Sequence, residues 1–140
     1  MNREFYESIF SIQQKTEAVP PNEKIAAWVS QLICLLYPER AACFNNSPEE
    51  VGQKFNKLSL ELTDLLNATK ACAKDDNAKK ATLFFQRIPE LYRVLNTDIE
   101  AILSGDPAAH TRFEVIRAYP GFFAICFYRI AHALLDLETA

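Results

Sequence analysis

The chain has 140 residues, which fits one domain and is long enough to bury a real core. Apolar residues make up 49% and charged residues 24%, the balance of a folded chain, which excludes a disordered one. The net charge of −3 argues against a nucleic-acid partner, since such a partner needs a clustered basic face, and the Lys79–Lys80 pair reads as a solvated helix face.

Helical spacing dominates from the start. In "REFYESIFSIQQKTE", Phe5, Ile9 and Ile12 recur at steps of four and three and form one stripe. "AVPPNEK" then breaks the helix, because proline lacks a donor and clashes with the turn before it. Asn22 is the expected N-cap of a second helix with the stripe Ile25, Trp28, Val29, Leu32, Leu35 and Leu36, which Pro38 ends. "NNSPEEVGQKF" carries the clearest local signal. Ser47 as N-cap, Pro48 at the first helical position and Glu50 three residues after the cap make a capping box. Val51, Phe55, Leu58, Leu62 and Leu65 extend it into a long amphipathic helix, and "KACAKDDNAKKA" reads as a polar turn between antiparallel neighbours. A further stretch places Leu83, Phe84, Ile88, Leu91, Leu95, Ile99 and Ile102 at helical spacing, with Pro89 expected to kink or split it. "SGDPAAH" stops it, with glycine at a helix end and Pro107 barring continuation. With three glycines and no sustained alternation, the reading is an all-α bundle of five to seven helices.

The residues carry little catalytic chemistry. A di-metal bundle site would use Glu-x-x-His, but Pro107 and Arg129 stand three residues before His110 and His132, so no metal site is expected. There is no Gly-rich dinucleotide loop, phosphate loop or nucleophile elbow. Cys34, Cys43, Cys72 and Cys126 form no CxxC pair and lie mostly among apolar residues, so all four are expected to be reduced thiols of a cytoplasmic protein. The N-terminus has acids early and no apolar signal core, and no apolar stretch reaches the roughly 18–20 residues of a membrane span. His132 is expected to be buried or interfacial, held by one hydrogen bond. Arg129, the one formal charge between Tyr119 and Leu135, is expected to pair with a carboxylate or with helix-end carbonyls, because an unpaired buried charge is costly. Asp106 by itself reads as Asp-Pro turn chemistry.

The last helix begins around Gly121 as "GFFAICFYRIAHALLDLETA". Phe122, Phe123, Ile125, Cys126 and Phe127 point in every direction around it, which calls for burial on all sides; a bundle this small hardly supplies that alone, so the helix is expected to dock onto something absent. The acids after Leu135 sit on the unfavourable side of the helix dipole, and no glycine cap follows. The expectation is that the natural chain continues.

"DPAAHTRFEVIRAYPGFFAICFYRIAHALL" resembles the segment of bacterial serine O-acetyltransferases that leads from the helical N-terminal domain into the catalytic domain. Asp106-Pro107-Ala108, Gly121-Phe122 with Ala124, and Tyr128-Arg129-Ile130-Ala131-His132 carry the match. The resemblance implies that residues 1–140 are one α-helical N-terminal domain, with 106–140 as connector toward an absent left-handed β-helix of hexapeptide repeats. It implies a parent enzyme that transfers acetyl from acetyl-CoA, its co-substrate, to serine, giving O-acetylserine for cysteine synthesis, with a histidine as general base. Neither histidine here matches that one, so no catalytic residue is assigned and the chain alone is expected to be inactive, with no cofactor. Asp106 matches the aspartate that helps bind substrate serine, a charge-assisted contact. The family also implies a homo-oligomer, dimeric or larger through the helices and hexameric in full-length members. O-acetylserine sulfhydrylase is a further partner, bound through a tail not present here. The alternative is a stand-alone helical interaction or regulatory module without catalysis.

Overall fold

The computed structural model describes residues 2–15, 22–69, 72 and 75–137, and among these residues it has seven α-helices and a 3-10 turn at Pro38–Arg40. In order they are α1 (Arg3–Gln14), α2 (Asn22–Leu36), the 3-10 turn Pro38–Arg40, α3 (Pro48–Asn67), α4 (Asn77–Gln86), α5 (Ile88–Gly105), α6 (Arg112–Ala118) and α7 (Pro120–Asp136). No strand occurs among the described residues, so the all-α reading stands.

The local signals act where they were expected. Ser47 Oγ accepts the Glu50 amide at 3.1 Å. Glu50 reaches back to the Asn46 amide at 3.0 Å, so its return bond closes on the residue before the cap instead of on Ser47 itself. Pro38 ends α2, and Pro89 splits the next stretch, standing in the first turn of α5 after the break at Arg87. The polar turn is shorter than expected. Asp76 Oδ1 accepts the Lys79 amide at 3.1 Å, so α4 already starts at Asn77 and buries Ala81. The side chain of Asn22 and the predicted break at 18–21 lie outside the described residues.

α3 packs along α2 and α4, α5 packs against α6 and α7, and α2 touches α7. Trp28, Val29, Leu32 and Ile33 of α2 are buried against Leu58 and Leu62 of α3, Phe84 of α4, and Leu95 and Ile99 of α5. Trp28 Nε1 donates to the Leu58 carbonyl at 2.9 Å, so the indole is buried with its polar atom satisfied. Tyr37, just past α2, lies edge-on to Phe122 of α7 with ring centroids 5.3 Å apart. Its hydroxyl donates to Asn96 Oδ1 at 2.8 Å.

Two apolar faces stay exposed, and one expectation needs correction. The α1 stripe forms, but no residue of α1 is buried, and Phe5, Ile9 and Ile12 face solvent. The last helix is not enclosed on all sides. Phe122, Cys126 and Ile130, four residues apart, are buried along one line, while Tyr128 and Leu135 are 68% and 62% exposed. A helix of uniformly apolar sequence still meets its neighbours through one face, and α5, α6 and α2 reach only that face. The correction concerns the thiols. Cys34, near the end of α2, and Cys43 are joined as a disulfide with a Cα–Cα separation of 6.0 Å. The 3-10 turn folds the chain back between them, a juxtaposition that helical periodicity does not encode. Ala42, next to Cys43, has φ 54°, a left-handed conformation that costs a residue with a Cβ roughly 1–2 kcal/mol. Cys72 and Cys126 are buried outside the disulfide.

No single described helix is long and apolar enough to cross a membrane. α6 and α7 are bent by 74° at their junction, and the residue at that junction is Tyr119.

Candidate functional site

The turn after α5 and the packing of α6 against α5 bring residues 106 and 119 together. Asp106 follows α5 in extended conformation, its own amide bonded to the Ile102 carbonyl at 2.9 Å. Asp106 Oδ1 accepts the Ala108 amide at 2.9 Å, the Asx-turn geometry that Asp-Pro favours. The Ala109 amide bonds to the Asp106 carbonyl at 3.0 Å and closes the turn. Thr111 then caps α6, its Oγ1 accepting the Glu114 amide at 3.1 Å. The Asp-Pro turn expected from sequence is therefore present.

The sequence did not point to the second partner of this carboxylate. Tyr119 OH donates to Asp106 Oδ2 at 2.6 Å. Thirteen residues separate the two, and the fold of α6 back onto α5 makes them neighbours. A tyrosine directly before Pro-Gly was the one visible signal, and it has no periodicity to mark it. Gly121 explains how the ring fits. A Cβ built there would lie 2.8 Å from Tyr119 Cε1 and 3.4 Å from Cδ1, so a side chain at 121 would push the ring away from Asp106.

The two hydrogen bonds set the charge state. Tyr119 first, and the Ala108 amide second, stabilise the ionised form and hold the Asp106 carboxyl below its ordinary range, against a small opposing effect of burial. The same bond raises the tyrosine, whose proton is shared with a carboxylate. A carboxylate offers about four acceptor directions, and two are used here. The remaining ones suit an ammonium or a hydroxyl donor. The group is thus ionised, fixed in orientation and open to solvent on one side.

The other singled-out residues lie elsewhere. His110 is exposed in the turn, directly after the buried Ala109. His132 is exposed, which overturns the buried reading of it and not the interfacial one. It stacks on Tyr128 at 5.9 Å and approaches Asp136 at 3.9 Å one turn on, because its side of α7 is the uncovered one. Arg129 finds the expected carboxylate in Asp98 of α5, through Nε–Oδ2 at 2.5 Å and Nη2–Oδ1 at 2.8 Å. This two-pronged, half-buried pair ties α7 to α5. Asp98→Ala is expected to lower stability by about 1–3 kcal/mol, between the values for exposed and for buried pairs, in a urea unfolding series. A loss below about 0.5 kcal/mol would show that the pair is a surface decoration. No group of three or more His, Cys, Asp or Glu among the described residues could hold a metal ion.

No family model matches the chain. It is 40% identical over 70 residues to a plasmid serine acetyltransferase of Synechococcus elongatus, a match covering 50% of this chain and 22% of that protein. It is 51% identical over 43 residues to the serine acetyltransferase of Bacillus subtilis, covering 31% and 20%. Among solved structures, Entamoeba histolytica serine acetyltransferase 1 in complex with L-cysteine superposes with a TM-score of 0.66 at 28% identity, over 79% of this chain and 40% of that one. The chain therefore spans about a fifth of the length of these two sequence relatives and under half of the structural one. In sequence and in fold the chain is therefore similar to part of the length of serine acetyltransferases.

Proposed function

We propose that the chain is the helical domain of a serine O-acetyltransferase and contributes assembly and one wall of the serine pocket, not the catalytic base. The parent reaction moves the acetyl group of acetyl-CoA to the serine hydroxyl, and the acetyl-transfer residues belong to a β-helix domain. The observation that carries this reading is the Asp106 carboxylate, ionised, held by Tyr119 and the Ala108 amide, and with acceptor directions to spare. Free serine offers an ammonium and a hydroxyl to such a group. The L-cysteine bound by the Entamoeba relative differs from serine only in sulfur for oxygen, which supports a site of this ligand class in the family. A cytoplasmic location and an association with O-acetylserine sulfhydrylase follow from the same metabolic role.

Assembly is supported by α1. Phe5, Ile9 and Ile12 make a stripe on a helix with no buried residue, an apolar face that a second copy would cover. Light scattering at high micromolar concentration is expected to give at least twice the mass of one chain, and a clean monomer would remove this part of the proposal.

The activity test has two arms. The chain alone, given serine and acetyl-CoA, is expected to release no thiol above background, and turnover would overturn the assignment of catalysis to another domain. In the acetyltransferase that carries this chain followed by hexapeptide repeats, Asp106→Ala is expected to raise KM for serine by roughly tenfold to a hundredfold, the worth of a charge-assisted hydrogen bond, with KM for acetyl-CoA unchanged. An unchanged serine KM would remove Asp106 from the pocket.

A further inference from the structure

Beside α3 there is a cleft of about 260 Å³ whose lining includes Cys34, Cys43, Gln31, Asn45, Lys54 and Lys57. It has no part in the Asp106 site. Both cysteines of the disulfide line this cleft and both are half-buried, so the cleft gives a small molecule a way to the pair. Two lysines and no carboxylate are among the lining residues. Each lysine also has a glutamate one helical turn away, Lys54–Glu50 at 3.5 Å and Lys57–Glu61 at 3.9 Å, long contacts that leave ammonium protons for another anion. Asn45 Nδ2 donates to the Cys43 carbonyl at 3.4 Å, while its buried Oδ1 accepts no hydrogen bond from the described residues.

We propose that Cys34 and Cys43 form a reversible thiol–disulfide exchange site for small disulfides and thiols that bear carboxylates. Starting from the two thiols, one cysteine thiolate attacks a sulfur of the small disulfide. A protein–ligand mixed disulfide forms and one small thiolate leaves. The second cysteine thiolate attacks the protein sulfur of that mixed disulfide, the Cys34–Cys43 bond forms, and the second small thiolate leaves. The two protons lost by the cysteines go to the two departing thiolates. The protein is oxidised by two electrons and the small disulfide is reduced by two; excess small thiol runs the steps backwards. Lys54 and Lys57 favour the thiolates and attract the carboxylates of the exchange partner.

Two features make the bond exchangeable and give it a consequence. It closes a loop with a sequence separation of only nine, and that loop includes the strained Ala42, so reduction lets a costly turn relax. The same loop carries Arg40, whose guanidinium lies 3.9 Å from the Phe123 ring centroid and whose Nη1 donates to the Ile116 carbonyl at 3.5 Å. The redox state of the pair is thereby passed to α6 and α7, the helices that flank Tyr119.

The test uses the 140-residue chain, fully reduced and then freed of reductant. Glutathione disulfide and the cationic disulfide cystamine are added in parallel, and peptide mapping by mass spectrometry follows the Cys34–Cys43 link. Each rate is divided by the rate for thiol modification in the same chain unfolded in urea. The folded chain is expected to form the link and to favour glutathione disulfide over cystamine several-fold. Lys54→Gln with Lys57→Gln is expected to abolish that preference, and excess reduced glutathione to reopen the link. Cys34→Ser is expected to stop at the mixed disulfide on Cys43. Thiols that persist in the folded chain while the unfolded chain reacts would overturn the proposal, and so would an equal or reversed preference between the two disulfides.

Discussion

Phe122→Ala is expected to lower the unfolding free energy by about 3–5 kcal/mol, a large share of the roughly 5–15 kcal/mol that holds a domain of this size together. Phe122 is 1% exposed and is the first buried residue of α7. Its ring meets the edge of Tyr37, which is itself packed against Tyr92 at 5.3 Å. Deleting the ring removes a full aromatic transfer term and leaves a void among groups held by three helices, where collapse is difficult. The void lies three residues after Tyr119, so the start of α7 should loosen with it. The matched control is Leu60→Ala on α3, where the side chain is 70% exposed and the cost should stay within about 0.5 kcal/mol. Urea unfolding at constant slope measures both. A loss for Phe122→Ala near that of the control would mean that α7 does not close the core.

The second large effect is an alkaline loss of stability. Burial pushes the Cys126 thiol up to about 12, with Arg40 opposing the shift. Burial, followed by the neighbouring Tyr92, also raises the Tyr37 hydroxyl far above its ordinary value. In both cases the folded chain holds its proton longer than the unfolded chain. The stability from Cys126 is therefore fully present below pH 9, is lost as pH rises from 9 to 12, and is constant above that. A thousandfold difference in acidity corresponds to about 4 kcal/mol across that interval. The Tyr37 contribution begins to fall only above pH 10. The urea midpoint is expected to be flat from pH 7 to 9 and then to drop. Cys126→Ala, which removes the thiol at little cost in volume, should postpone the drop until Tyr37 begins to ionise. If the variant and the parent fall equally between pH 9 and 10, the thiol is not the source.

Local chemistry made much of the helical framework legible. The Ser47–Glu50 cap, the stop at Pro38 and the split at Pro89 need only neighbours in sequence, and all three are where the residues put them. The stripes of α2, α3 and α5 also follow, because a period near 3.6 decides which residues can share a face. What that period leaves open is whether anything covers the face. The α1 stripe is as regular as the others and remains exposed. α7 is apolar all round and is buried along one line. Ile33 lies beside the predicted stripe of α2 and is as buried as Leu32, since α2 runs through the middle of the bundle.

By itself, the sequence determined the helix content, the start and stop of several helices, the Asp-Pro turn and the resemblance carried by residues 106–135, all of which depend on contacts a few positions apart. Three pairings were decided by the tertiary structure alone. Tyr119 reaches Asp106 because α6 folds back against α5. Arg129 selects Asp98 from among the carboxylates because α5 lies alongside α7. Cys43 meets Cys34 because the turn at Pro38 reverses the chain. In each case the partners are 9 to 31 residues apart. Side chains at that separation meet only through the packing angles of whole helices, and no residue in the sequence states those angles.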